Sequence, residues 1–234
     1  MTPVRLEALL TGPMQPLGPR AVPSGIAKAQ VAGPILLRKT GFEGDAQGDT
    51  LRHGGPEKAV HHYPMDHYAA WQSDVGPQPL LDYPGAFGEN ISTLGITEED
   101  VAIGDVFEIG TAQIEISQGR QPCWKLNERF GLADTAKRVQ WTGRTGWYYR
   151  VLEEGIVGPG DRLTLVHRHS PEWTVERVWH LFYVDTLNRD ELARLADVER
   201  LAEGWREHAL RRLRSNTVED WASRLSGDRV KTSG

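Results

Sequence analysis

Glycine punctuates this chain up to about residue 170 and nearly vanishes after it. No single architecture accommodates both halves. Before the break, short apolar runs are separated by Gly, Pro and Asp: "GIAKAQVAGPILLRK", "KAVHHYP", "DVAIGDVFEIG", "TAQIEIS" and "DRLTLVHR". Ile114 and Ile116 alternate with Glu115, and Leu163 with Thr164 and Leu165, the period of a half-buried strand. Many short strands with turn residues between them predict a β-barrel or sandwich. Helices interrupt it at 64–75 ("PMDHYAAWQSDV") and after Pro122, where Trp124, Leu126, Asn127 and Phe130 fall near helical spacing.

After the break the apolar period becomes helical. Val175, Val178, Trp179 and Phe182 fall at i, i+3, i+4 and i+7. "NRDE" at 188–191 reads as a capping box ahead of Leu192 and Leu195. Val198, Leu201, Ala202, Trp205 and Ala209 predict a longer third helix, and "VEDWASRL" a short last one. The expected fold is therefore mainly β (α+β): a barrel with a few interspersed helices over residues 1–169, then a helical domain over 170–234, with "RHSPEW" at the boundary.

With 234 residues and 39% apolar residues, the chain can build an ordinary core. No run approaches the roughly 18 apolar residues of a membrane span. The opening "MTPVRLEALLTGPM" lacks the apolar core and cleavage site of a signal peptide. A cytoplasmic, non-membrane protein is expected, and one cysteine allows no internal disulfide. The net charge of -5 argues against coating a nucleic-acid polymer.

Four stretches of the β-rich part carry candidate chemistry. "GFEGDAQGDTLRHGG" (41–55) can turn backbone N–H groups towards an anion, with Arg52, His53 and Lys58 adding positive charge. An ordinary glycine-rich turn reads equally well, and neither a Walker A nor a GxGxxG motif is present. His61 and His62 are adjacent, so on a strand they face opposite sides and are poorly placed to share a metal. "FGEN" (87–90) offers Glu89 as acceptor and Asn90 as both donor and acceptor, a pair able to read a heterocycle edge. Cys123, in "SQGRQPCWKLNERF", follows Pro122 at an expected helix start, with Arg120 and Lys125 nearby. Such a setting favours the thiolate, the form that attacks electrophiles or binds a soft metal. The alternative is a small buried hydrophobe.

Taken in order, "GFEGDAQGD…HGGPEKAVHHYP", "GAFGENIST", "IGDVFEIG" and "ISQGRQPCWKLN" resemble the successive motifs of MOSC domains, which are similar to the C-terminal domain of molybdenum cofactor sulfurases. The resemblance runs from about residue 20 to 168. "TGRTGWYYRVLEEGIV" and the C-terminal helices resemble the YiiM branch, in which a MOSC β-barrel precedes a three-helix domain. One departure is the residue before Arg120, glycine here and often proline in relatives. The resemblance implies a molybdenum cofactor (molybdopterin), with Cys123 as ligand to molybdenum. It makes Lys58, Asn90, Gln118 and Arg120 the first candidates for cofactor contacts, and His53, Lys125 and Arg150 secondary ones, with Gly54 and Gly55 allowing close backbone approach.

The resemblance further implies reduction of N-hydroxylated base analogues such as 6-N-hydroxylaminopurine to the amine. Glu89 and His53 are the candidate proton donors. A single cysteine cannot hold an iron–sulfur cluster, so electrons are expected from a separate flavin or iron–sulfur reductase. "REHALRRLR" (206–214), with Arg206, Arg211, Arg212 and Arg214, is a candidate docking surface, against the simpler reading of a solvated helix face. Two alternatives stay open: a sulfur carrier or sulfurtransferase using a Cys123 persulfide, and a carrier of the molybdenum cofactor.

Overall fold

A computed structural model describes residues 1–46 and 55–227. Arg52, His53 and Gly54 lie outside the described residues, so the contacts expected of them are not placed. The chain opens with β1 (Val4–Thr11), three short extended pieces β2 (Gln15–Leu17), β3 (Val22–Ser24) and β4 (Ala29–Gln30), then β5 (Ile35–Arg38) and β6 (Gly41–Phe42). After β7 (Val60–His62) come α1 (Tyr68–Val75), β8 (Ile91–Thr93), β9 (Asp105–Ile109) and β10 (Ala112–Gly119). Two short helices follow, α2 (Lys125–Phe130) and α3 (Thr135–Thr142), before β11 (Trp147–Glu153), β12 (Gly155–Val157) and β13 (Arg162–Arg168). The C-terminal part holds α4 (Val175–Tyr183), α5 (Arg189–Ala196), α6 (Glu203–Ser215) and α7 (Ala222–Ser226).

Seven strands close into a barrel in the order β1-β8-β7-β11-β10-β9-β13, and β13 pairs back onto β1 through Val4 with Leu163 and Arg5 with Arg162. Closure removes the sheet edges that would otherwise template aggregation. All neighbours are antiparallel except β7 and β8, which pair in parallel at His62 and Ile91. The alternation in "AQIEIS" is realised: Ile114 and Ile116 enter the barrel core while Glu115 faces outward. That outward face is not wet. Glu115 is completely buried, bound to Arg150, because the segment before α6 lies over it and the Ala202 N–H donates to the Ser117 carbonyl at 2.9 Å.

The helical part shares the barrel's core. Trp173, Val178, Phe182, Leu195 and Trp205 belong to the same apolar cluster as Ile116, Trp147 and Leu163. Helix α4 starts where the Thr174 side chain accepts from the Arg177 N–H. Asn188 caps α5 in the same way, but the reciprocal half of the expected capping box does not form, since Glu191 turns to Arg177 and Arg194. The predicted long third helix is shorter than its apolar period. Val198, Leu201 and Ala202 sit in a turn ahead of α6, and that turn buries the same face a helix would. Arg206 holds it, donating to the carbonyls of Ala196, Val198, Glu199 and Leu201.

This corrects the reading of 206–214 as a basic docking surface. Arg206 is consumed by that turn. Arg212 is buried, its guanidinium on the Glu219 carboxylate and the carbonyls of Phe182 and Thr186. Arg211 and Arg214 remain exposed, Arg214 3.7 Å from Glu207, so only two of the four arginines face solvent.

A second apolar cluster lies outside the barrel. Tyr63, Tyr68, Trp71, Phe87, Leu126, Phe130 and Val139 pack α1, α2 and α3 together, with the Phe87 ring stacked on Tyr63 at 3.9 Å. It carries the loops that form the site. Among the described residues, no helix is long and apolar enough to cross a membrane.

Candidate functional site

The end of β10, the β7 strand, the Phe87–Asn90 turn and the segment 24–28 meet around an open cleft. Cys123 lines it, half-buried, two residues before α2. Lys28, Lys58, Arg120 and Lys125 also line it, against a single carboxylate among the described residues, Asp45. The cleft is therefore a cationic setting with one thiol, which suits an anionic ligand that also offers a soft metal.

The cations differ in how they are held. Asp45 takes the Lys28 ammonium on Oδ1, with the Gly12 N–H at 3.0 Å on the same oxygen, and the Asn90 amide at 2.8 Å on Oδ2. Burial lowers the Lys28 pKa, and Asp45 and Glu89 oppose that effect. Arg120 is 6% exposed. Its Nη2 donates to the Phe87 carbonyl at 3.2 Å, while Nη1 is buried and has no partner among the described residues. Lys125 reaches the Pro23 carbonyl at 3.3 Å.

The walls are polar and rigid. His61 and His62 face opposite ways, as the strand period requires. His62 enters the barrel, bridging Tyr149 at 3.0 Å and Thr93 at 2.8 Å, and burial holds its pKa down to about 3. His61 turns to the cleft, its ring 4.9 Å from that of Tyr148. Burial, reinforced by the Arg120 charge, keeps its pKa well below the usual histidine value, so the ring is neutral, and Nε2 is buried without a partner among the described residues. Burial likewise keeps the Tyr148 hydroxyl protonated. Gly88, at φ 78°, lets the Phe87–Asn90 turn approach the segment 24–28: a Cβ there would stand 2.7 Å from Ile26. Among the described residues, no group of three His, Cys, Asp or Glu side chains could hold a metal by itself.

The structure brings together Cys123, Lys58, Asn90, Arg120 and Lys125 from the residues picked out in the sequence. Gly55 stands at φ 95° before the short turn Pro56–Lys58, and a Cβ there would meet no atom within 4 Å among the described residues. Asn90 faces the cleft, but its amide is already engaged: Oδ1 accepts the His61 N–H at 3.1 Å, and Nδ2 donates to Leu10 and Asp45.

Three expectations need correcting. Gln118 does not line the cleft. It is buried, its amide donating to the Gly119 carbonyl at 3.4 Å, although the register pairs it with the cleft residue Tyr148. Arg150 lies on the outward face of β11, clamped between Glu57 and Glu115 and donating to the Arg200 carbonyl at 2.9 Å. Glu89 is fully buried and its oxygens hold the loop rather than facing a ligand: Oε1 accepts from Tyr68 and the Gly85 N–H, Oε2 from the Phe87 N–H at 3.0 Å.

Sequence reasoning missed Lys28, Asp45 and Tyr148 as wall residues and read His61 only for metal. Lys28 had a signal, a lone lysine among small apolar residues in "GIAKAQVAG". Asp45 lay inside a quoted motif without being singled out. Tyr148 had none beyond strand alternation.

A family profile described as "MOSC domain" matches residues 49–164, and one described as "YiiM-like, 3-alpha helix domain" matches 173–216. Protein YiiM of Escherichia coli (strain K12) is 41% identical over 89% of this chain and 93% of its own length. The crystal structure of YiiM from Escherichia coli superposes with a TM-score of 0.78 at 37% identity, covering 91% of this chain and 98% of that one. A protein of Gibberella moniliformis named "Reductase" is 39% identical over 74% of this chain, which spans 31% of that longer protein.

Proposed function

Because this chain belongs to the YiiM-like branch of the MOSC-domain family, we propose that it is a molybdenum-cofactor-dependent reductase of N-hydroxylated base analogues such as 6-N-hydroxylaminopurine. The observation that carries this reading is Cys123 opening onto a cationic cleft in which Arg120 Nη1 and His61 Nε2 are buried without partners among the described residues. Buried polar atoms left unmade are costly, and a pterin phosphate and ring edge would satisfy them. The name of the Gibberella relative points the same way.

In this reading Cys123 holds the metal through its sulfur. Arg120, Lys58 and Lys125 take the phosphate, where guanidinium and ammonium groups form charge-assisted hydrogen bonds. His61, neutral, and Tyr148, protonated, give the pterin or the substrate hydrogen bonds without adding charge. Asp45 keeps Lys28 and Asn90 in place, so the wall holds its shape when loaded. When bound, the cofactor supplies the two-electron chemistry that converts R–NHOH, two electrons and two protons to R–NH2 and water. The electrons come from a separate flavin or iron–sulfur reductase. Glu89 is not the proton donor, since both its oxygens serve the loop.

The test is turnover of 6-N-hydroxylaminopurine by protein expressed in a host that makes the cofactor, alongside its molybdenum content. Metal with turnover supports the reading. Metal without turnover favours a cofactor carrier, and a Cys123 persulfide without metal favours sulfur transfer.

A further inference from the structure

Helix α7 lies beyond both family matches, the later of which ends at residue 216. Yet it touches the segment that carries Cys123 on both sides of the cysteine. Arg224 Nη1 donates to the carbonyl of Pro122, the residue before it, and the Trp124 N–H, the residue after it, donates to the Arg224 carbonyl at 2.8 Å. The other arm of the guanidinium, Nη2, donates to Gln140 Oε1 at 2.6 Å.

Gln140 is 1% exposed on α3, and its carbonyl accepts the Trp179 indole N–H at 2.7 Å. One turn into α2, Asn127 Nδ2 donates to the Leu225 carbonyl at 2.8 Å and Asn127 Oδ1 accepts the Ala136 N–H at 2.8 Å. Gly227 lies against the Trp124 ring, where a Cβ would come within 2.7 Å of it. The cysteine segment has little support of its own, since α2 spans only Lys125–Phe130 and Trp124 at its start makes no side-chain cap.

We propose that α7 is a strap that fixes the direction of Cys123 into the cleft, and that Arg224 is the positioning residue through which it acts. A planar guanidinium can hold the Pro122 carbonyl and the Gln140 amide at once, in a fixed relative geometry. Both arms are charge-assisted bonds in a partly buried setting, the kind whose loss frees a segment rather than merely weakening it. The proposal rests on Cys123 being the working group of the cleft. It does not depend on which cofactor or substrate that group serves.

Because Cys123 is the only cysteine in the chain, its alkylation reports on this segment alone. The experiment is the rate of Cys123 modification by iodoacetamide in the folded, cofactor-free protein, for wild type, Arg224→Ala, Arg224→Lys and Gln140→Ala. Arg177→Ala, which removes an ion pair to Glu191 on the far helices, controls for general loosening. The expected result is about tenfold faster modification in Arg224→Ala, the equivalent of one charge-assisted hydrogen bond. Gln140→Ala should move the same way by less, and Arg224→Lys should recover part of the wild-type protection. If Arg224→Ala does not fold, the lysine and Gln140 variants carry the comparison. Wild-type rates in all Arg224 and Gln140 variants, or equal acceleration in Arg177→Ala, would overturn the proposal. No molybdenum is involved, so failure of the reductase reading leaves this result intact.

Discussion

Arg120 Nη2 donates to the Phe87 carbonyl at 3.2 Å, tying the end of β10 to the Phe87–Asn90 turn while its Nη1 stays buried without a partner among the described residues. One arm thus builds the cleft and the other is held ready in it. Arg120→Lys keeps the charge and loses the fork. We expect affinity for the cofactor to fall about 10- to 100-fold, one or two charge-assisted hydrogen bonds, with the fold retained. Molybdenum retained per folded chain after dialysis measures it.

Glu89 gathers Tyr68, Gly85 and Phe87 around one buried carboxylate. Glu89→Ala leaves those donors buried and unsatisfied, at a cost of about 2–5 kcal/mol. The denaturation midpoint should drop accordingly. The pH profile of any activity left in the folded fraction should not change, since Glu89 gives no proton to the cleft. A lost limb of that profile would restore Glu89 as the donor.

Much of this was legible beforehand, for physical reasons that differ from residue to residue. The barrel strands are short and alternate cleanly because one face is core, so Ile114, Ile116, Leu163 and Leu165 announced them. Cys123 was legible because a lone thiol after Pro122 with Arg120 and Lys125 beside it marks a thiolate setting, whereas Arg120 as a cleft residue came from the motif resemblance and its burial from the structure. Gln118 misled because its place in the motif does not show that its amide turns to the Gly119 carbonyl. Arg206 and Arg212 misled because a charge run reads as solvated until the carbonyls and the carboxylate it satisfies are seen. Lys28 and Asp45 are partners across 17 residues, and no local pattern marks such a pair.

Acid should destabilise the protein in two stages. Burial keeps His62 neutral down to about 3 and His61 neutral well below 6.5. The unfolded chain protonates both near 6.5, so it binds more protons than the folded one below that pH. Stability from these groups is present above 6.5 and is lost as pH falls towards the folded values, by up to about 1.4 kcal/mol per pH unit for each ring. For Glu219, burial raises the pKa but the Arg212 fork outweighs it and holds the group to about 2. Its contribution is present above the usual carboxylate value of about 4.5 and is lost between there and about 2. Denaturant midpoints from pH 7.5 to 3 should show both losses, and Glu219→Gln should remove the second.

Gly146 stands at φ 68° beside β7, and a Cβ there would fall 2.3 Å from the His62 carbonyl and 3.2 Å from His61 Nε2. Gly146→Ala should cost about 1–3 kcal/mol in backbone strain and displacement. The same push reaches His61, so cofactor retention should fall along with the melting temperature. A stable variant with wild-type retention would show that the His61 wall yields freely.

The central claim is that Cys123 works as a metal ligand in this cleft. The most direct measurement is molybdenum per chain by elemental mass spectrometry, for wild type and Cys123→Ala expressed in a cofactor-making host. The account predicts near-stoichiometric molybdenum in wild type and a large loss in Cys123→Ala at equal folding. Equal molybdenum in both proteins, or none in wild type, would contradict it.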